Sequence, residues 1–231
     1  MMPRFDRERA PLLAGLPPIL PTGPVRALVL GSFPSVMSLE SKRYYGNPHN
    51  WFWRMLHHCG VIEDPAAPYP ERVASLHRTG LAVWDLYARV RRPGSGDDRI
   101  SDAVPNQVGA LLAERGPFPI LLNGRRAREW RQHFSALEAA PVELPSTSPR
   151  PLHWNTPASR AQALTEWCAA LAAVAFKLAD LVAIPRRTKT HDVDGKIGLR
   201  LAQFYSDVFR LGQRHRARSG PNSHILRLVS Q

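Results

Sequence analysis

The stretch from Gly31 to Trp53 reads GSFPSVMSLESKRYYGNPHNWFW and gathers residue types that suit a binding pocket. Gly31 ends an apolar run, where a missing side chain permits a tight turn and close backbone approach. Tyr44 and Tyr45 offer flat faces, Asn47 and Asn50 offer neutral amide heads, and Pro48 stiffens the backbone between them. An aromatic face beside an amide is what a planar polar ring needs: the ring stacks while the amide reads its edge or holds a water. Part of this stretch has a structural reading as well. Asn50 also suits the N-cap of a following helix, and Trp51, Phe52 and Trp53 suit a core.

A second cluster, Leu144-Pro-Ser-Thr-Ser-Pro-Arg150, sets hydroxyls in a Pro-rich turn. Such a turn can clamp phosphate oxygens through Ser side chains and backbone N–H groups, with Arg150 adding charge or a wedge. Ser/Pro clusters are also ordinary turn material. Stronger signatures are missing: the chain has no GxSxG, no GxxxxGK[ST] and no HExxH. His57 and His58 fall on an expected helix, and His49 and His153 are lone loop histidines. Asp97 and Asp98 read as turn or cap residues, and Asp85, directly after a strand, is a weaker site candidate.

These residues need elements to hold them. Residues 25–30 form a short apolar run, and further runs occur at 81–84, 120–122 and 142–144; each reads as a buried strand. Between them the pattern predicts helices over 51–59, 71–78, 105–115 and 125–134, with Gly60, Gly80 and Gly116 as stops. Residues 32–50 and 85–98 read as loops. A long Ala-rich helix starts at Pro157 with Thr156 as its N-cap. Strands alternating with helices imply a parallel sheet covered on both faces. Ligands of such sheets bind at the carboxyl ends of the strands, which selects loops 31–50, 85–98, 123–125 and 145–155. Residues 1–24, with six prolines, read as an irregular lead-in, 25–180 as the α/β domain, and 181–231 as a basic tail.

The chain has 231 residues and a net charge of +12. Such a surplus favours a polyanionic partner, nucleic acid before an anionic membrane. Residues 177–231 hold 11 Lys/Arg against 4 Asp/Glu, and the rest holds 20 against 15, so the excess sits in the tail. Cys59 and Cys168 form no CxxC pair, which sets aside a zinc knuckle, a four-Cys iron–sulfur cluster and a disulfide scaffold. No run of 18 apolar residues and no secretory leader is visible, so a cytoplasmic protein without membrane contact is expected.

With both clusters in place, the sequence resembles the uracil-DNA glycosylase superfamily, and within it the hypoxanthine-DNA glycosylase branch. The carriers are GSFPS from Gly31, YYGNPHNWFW from Tyr44, AVWDL from Ala82, LNG from Leu122 and LPSTSP from Leu144, in order over roughly residues 24–176. The resemblance implies a three-layer αβα sandwich with a four-stranded parallel sheet. It implies a monomeric, cofactor-free and metal-free enzyme that flips a deaminated base from DNA and hydrolyses its N-glycosidic bond. It assigns Asn47, with Asn50 second, to the water. Gly31, Ser32, Phe33, Tyr45 and Asn123 become the base pocket, with Tyr45 the stacking aromatic. Ser146, Thr147, Ser148 and Pro149 pinch the DNA backbone, and Arg150 is the wedge. Phe33 stands where the mismatch-specific branch has its catalytic Asn, which leaves a DNA-binding relative with weak or no catalysis as the alternative. A hydrolase using Ser32 or Ser146 as nucleophile is a third reading, without a recognisable His and acid to partner it.

Overall fold

Strand β2, Ala27–Gly31, is buried at every position, and the two faces of its pleat define the architecture. Ala27 and Val29 point into one apolar cluster; Leu28 and Leu30 point into another. This is the alternation expected of a strand covered on both sides. The computed structural model describes residues 10–129, 141–150 and 154–179. The strands in chain order are β1 (Leu12–Ala14), β2, β3 (Leu81–Asp85), β4 (Tyr87–Arg91), β5 (Ser101–Pro105), β6 (Ile120–Asn123) and β7 (Val142–Leu144). The helices are α1 (Val36–Ser41), α2 (Phe52–His58), α3 (Tyr69–Thr79), α4 (Val108–Arg115), α5 (Arg125–Glu129) and α6 (Pro157–Ala179), with a 3₁₀ turn at Asp97–Arg99.

Strands β3, β2, β6 and β7 form a four-stranded parallel sheet in that order. On one face Val29, Val83 and Leu121 pack with Phe52, Met55 and Leu56 of α2, Leu76 of α3 and Trp167 and Leu171 of α6. On the other, Leu28, Leu30, Ala82, Ile120 and Leu122 pack with Val108 and Leu111 of α4 and with Phe118 and Ala127. The expected three-layer αβα sandwich is therefore the observed fold.

Several expectations shift. Loop 32–50 contains helix α1, capped by Ser35, whose hydroxyl accepts from the Ser38 N–H. The region read as loop 85–98 instead begins with the end of β3 and β4, and β4 belongs to a second, antiparallel sheet in the order β1-β4-β5. The chain turns into it at Leu86 and Tyr87, whose N–H groups donate to Gly31 and Ser32 carbonyls. Helix α4 begins three residues later than expected because Ser101–Pro105 is strand. The helix expected over 125–134 is described only as Arg125–Glu129. His153, residues 1–9 and the tail 181–231 lie outside the described residues.

The two cysteines, too few for a disulfide scaffold, are bonded to each other across 109 residues of sequence. The bridge joins the end of α2 to α6 and is buried, Cys59 at 1% and Cys168 at 4% exposure. Disulfides concentrate in oxidising compartments, so this bond stands in tension with the cytoplasmic expectation, while its burial shields it from reductants. No helix among the described residues is long and apolar enough to cross a membrane, and none of their His, Cys, Asp or Glu side chains cluster as metal ligands.

Candidate active site

The parallel strands all end on one side of the sheet. Asp85 and Gly31 are register partners at the ends of β3 and β2, and Asn123 and Leu144 at the ends of β6 and β7. Asn123 links what converges there. Its Nδ2 donates to Tyr45 Oη at 2.9 Å and to Thr147 Oγ1 at 3.0 Å, while its Oδ1 accepts from the Thr147 N–H at 3.0 Å. Loop 42–50 and the turn after β7, distant in sequence, are thus tied to one amide. The resemblance made Asn123 a base-binding residue. Here both its N–H donors are committed to a clamp that positions the others, while its carbonyl, accepting one bond, keeps a second lone pair.

Loop 42–50 is built to hold Tyr45. Tyr44 is buried, its backbone N–H donates to Tyr69 Oη, and its own hydroxyl donates to the Leu16 carbonyl. Ser38 Oγ of α1 accepts from the Gly46 N–H at 3.0 Å. Tyr45 itself has φ of 53°, a left-handed conformation that a bulky residue keeps only when its surroundings impose it. Its ring stacks on Phe52, centroids 3.7 Å apart at 19°. Burial first, and the Asp85 charge second, push its phenol up, so it is a neutral hydroxyl at any physiological pH.

Asn47 is half-buried. Its Oδ1 accepts from the His49 N–H at 2.9 Å and its backbone carbonyl accepts from Asn50. That turn fixes the amide while a second lone pair stays on Oδ1. Asn50 Oδ1 accepts from the Phe52 N–H at 2.9 Å, so its carbonyl serves the start of α2.

The turn after β7 is held by tryptophans. Trp167 Nε1 donates to the Pro145 carbonyl at 2.8 Å, Trp154 Nε1 to the Ser146 carbonyl at 2.7 Å, and the Trp51 backbone N–H to the Thr147 carbonyl at 2.9 Å. Trp51 and Trp154 stack at 4.9 Å, with the Arg160 guanidinium 4.8 Å from the Trp51 ring. Gly124, at φ of 93°, lets Ser146 approach: a Cβ there would stand 2.8 Å from Ser146 Cβ. Thr147 is buried, Ser146 and Ser148 are half-buried, and Pro149 and Arg150 are exposed. Ser146 Oγ accepts from the Ser148 N–H at 3.2 Å. The Arg150 guanidinium reaches across to the Gly96–Asp98 loop.

Gly31 ends β2 and Ser32 follows it. A Cβ on Gly31 would collide with Asp85 Oδ1 and stand 3.5 Å from the Tyr45 hydroxyl. Ser32 Oγ is buried and faces the Asp97 carboxyl without closing a well-formed hydrogen bond. No histidine is bonded to Ser32, which removes the support for Ser32 as an activated nucleophile. Phe33 is not gathered with these groups. The next position along the chain turns to the opposite face, where Phe33 packs in the Leu28 and Leu30 cluster under the Arg92 guanidinium, 4.9 Å from its ring. Its geometry is that of a core residue, which corrects its assignment to the base pocket.

Three charged residues were underrated from sequence. Arg92 is buried at 2% exposure, donates to the Pro34 carbonyl and lies 3.6 Å from Asp97. Asp97 stands beneath it, and burial pushes its carboxyl up while Arg92 opposes. Asp85 is buried at 5% exposure, and its Oδ2 has no hydrogen-bond partner. Burial, aided by the Asp97 charge and opposed by Arg92, pushes its carboxyl up to about 7. The available signal was positional: Asp85 directly follows LAVW, the end of a buried parallel strand.

The fold and this sheet-end site define a glycosylase of the uracil-DNA glycosylase superfamily. No family model matches the chain. A hypoxanthine DNA glycosylase of Methanosarcina acetivorans is 33% identical over 137 residues, covering 58% of this chain and 85% of that protein. A hypoxanthine DNA glycosylase of Methanosarcina barkeri is 30% identical over 125 residues, covering 53% of this chain and 78% of that protein. A solution NMR structure from Methanosarcina acetivorans, assigned as a uracil DNA glycosylase, superposes with a TM-score of 0.61 at 27% identity, covering 71% of this chain and 99% of its own. The chain belongs to the hypoxanthine DNA glycosylase family.

Proposed function

We propose that this DNA glycosylase extrudes a deaminated base, hypoxanthine first and uracil second, and hydrolyses its N-glycosidic bond to leave an abasic site. The observation that carries the reading is the Asn123 clamp, which sets an aromatic plate and a serine-bearing turn around the ends of the parallel strands. In this reading one face of Tyr45 is backed by Phe52 and the other receives the extruded base. Asn47 orients the attacking water through the lone pair its own turn leaves open. Water oxygen bonds to C1′, the electron pair of the broken C1′–N bond passes into the base, and the proton released by water balances that charge. Backbone N–H groups and dipoles at the sheet end stabilise the departing base. Ser146, Ser148 and Arg150 hold phosphates, with Arg150 at the rim where a wedge would enter. Unstacking costs less for a mispaired base, which supplies part of the selectivity. The chemistry as proposed draws on water and side chains alone, and one copy of the chain suffices for it.

The test is a panel of duplexes containing deoxyinosine or deoxyuridine. Wild type yields abasic product, and Asn47→Ala lowers the single-turnover rate by about 10²-fold or more, whereas Asn50→Ala acts chiefly on stability. Absence of abasic product with every deaminated base rejects the reading. Phe33 supports a second one: its burial under Arg92 leaves no polar group at that position to activate water, as expected of a relative that binds DNA without turnover. Salt-sensitive binding without excision selects it.

A further inference from the structure

Asp85 is a buried acid that nothing in the reaction above uses. It sits at the carboxyl end of β3, beside Gly31 and on the same side as the Tyr45 hydroxyl. Its backbone carbonyl accepts from Asn106 Nδ2 at 2.8 Å, and the Leu86 N–H that follows donates to Gly31, so its main chain is fixed. Its side chain is not: Oδ2 is sealed from solvent and accepts no hydrogen bond. A buried polar atom without a partner is costly, and this carboxyl stands beside Gly31 at the sheet end. The Asn123 amide has no N–H left to donate to a base carbonyl. Gly31 has no Cβ to stand between the carboxyl and an arriving ring.

We propose that Asp85, carrying its proton, is the specificity-determining and leaving-group-stabilising residue of this site, its O–H donating to the exocyclic carbonyl oxygen of the extruded base and its second oxygen accepting from the adjacent ring N–H. This rests on the glycosylase reading. Hypoxanthine presents that acceptor and donor side by side at O6 and N1–H, and uracil presents a similar pair. Negative charge develops on the base as it departs. A donor at its carbonyl stabilises that charge, whereas an ionised carboxylate in the same place repels it. The groups facing Asp85 set the balance. Asp97, from the 3₁₀ turn, favours the protonated form, and Arg92, after β4, opposes it. Tyr44 and Tyr45 couple to it from loop 42–50 but stay neutral. Burial outweighs Arg92, and half-ionisation falls at about 7.

The experiment is single-turnover excision from a deoxyinosine duplex between pH 5.5 and 9 by wild type, Asp85→Asn and Asp85→Ala. Wild type loses rate at about tenfold per pH unit once Asp85 ionises. Asp85→Asn, whose amide supplies a donor and an acceptor in the same place and does not titrate, keeps the rate within about tenfold of the acid plateau and loses the alkaline fall. Asp85→Ala falls about 10²-fold or more at every pH. An Asp85→Asn variant as inactive as Asp85→Ala, or one that keeps the alkaline fall, overturns the proposal while wild-type turnover leaves the glycosylase reading intact. A wild type inactive at every pH sinks both. Infrared difference spectra of wild type with a non-hydrolysable 2′-fluoro-deoxyinosine duplex give a readout without turnover or variants. A protonated-carboxyl C=O band that shifts on binding supports the proposal, and its absence at pH 5.5 overturns it.

Discussion

Asn123 has two N–H donors and a carbonyl, and the fold uses all three to join Tyr45 to Thr147. Removing it leaves a buried phenol oxygen, a buried hydroxyl and a backbone N–H short of partners, at about 1–3 kcal/mol for each group that finds no water. Asn123→Ala is therefore expected to destabilise the protein and to slow excision by about 10²-fold, through a Tyr45 ring that is no longer held in register. Thermal unfolding and single-turnover rates measured on the same preparation check this. A variant with wild-type rate would show that the clamp positions nothing. Asp85 and Asn123 also mark where a sequence becomes hard to read. Both end apolar strands, and only three-dimensional neighbours reveal that one amide has both N–H groups bonded while one carboxyl oxygen has no partner.

At the level of elements, the parallel strands were legible because a strand covered on both faces is a short, wholly apolar run. Val29 and Leu30 announce themselves in this way, and glycines mark the helix ends. Gly80, at φ of 74°, closes α3 as its position suggested. Helix α1 was hidden in a polar, Gly- and Pro-marked stretch, and it buries only Ser38. Strands β4 and β5 were hidden because RRPGSGDD punctuates the hairpin that they form and β5 is largely exposed. The pairing of β4 with β1 joins residues more than 70 positions apart. The Cys59–Cys168 bond was hidden for the same reason, since nothing local in either helix indicates a partner 109 residues distant. It ties α2, whose first residues contact the site, to α6, which supplies Trp167 to the turn after β7. Closing so long a loop restrains the unfolded chain, so Cys59→Ser with Cys168→Ser should lose roughly 2–5 kcal/mol. Denaturant titration of the oxidised protein against the double variant checks this; equal midpoints would show that the bond contributes nothing.

Over the whole molecule, charge and chemistry are separated along the chain. The parallel strands, clamp and serine turn lie within residues 27–150, while the excess positive charge lies in 177–231. Neutralising phosphates releases counterions and makes affinity fall with salt, whatever the base sequence. Deleting residues 184–231 is therefore expected to weaken binding to undamaged duplex and flatten its salt dependence, while excision at low salt persists. Fluorescence anisotropy across a salt series checks this, and an unchanged slope would discard the tail as a phosphate-binding segment.

The central claim is that the residues gathered at the ends of four parallel strands extrude a base and cut only its bond to the sugar. Mass spectrometry of a deoxyinosine duplex after incubation, before any alkali, tests it most directly. The account predicts an intact strand lighter by one hypoxanthine, gaining the hydroxyl of water at C1′, together with the free base. A strand of unchanged mass, or one already broken at the lesion, contradicts it.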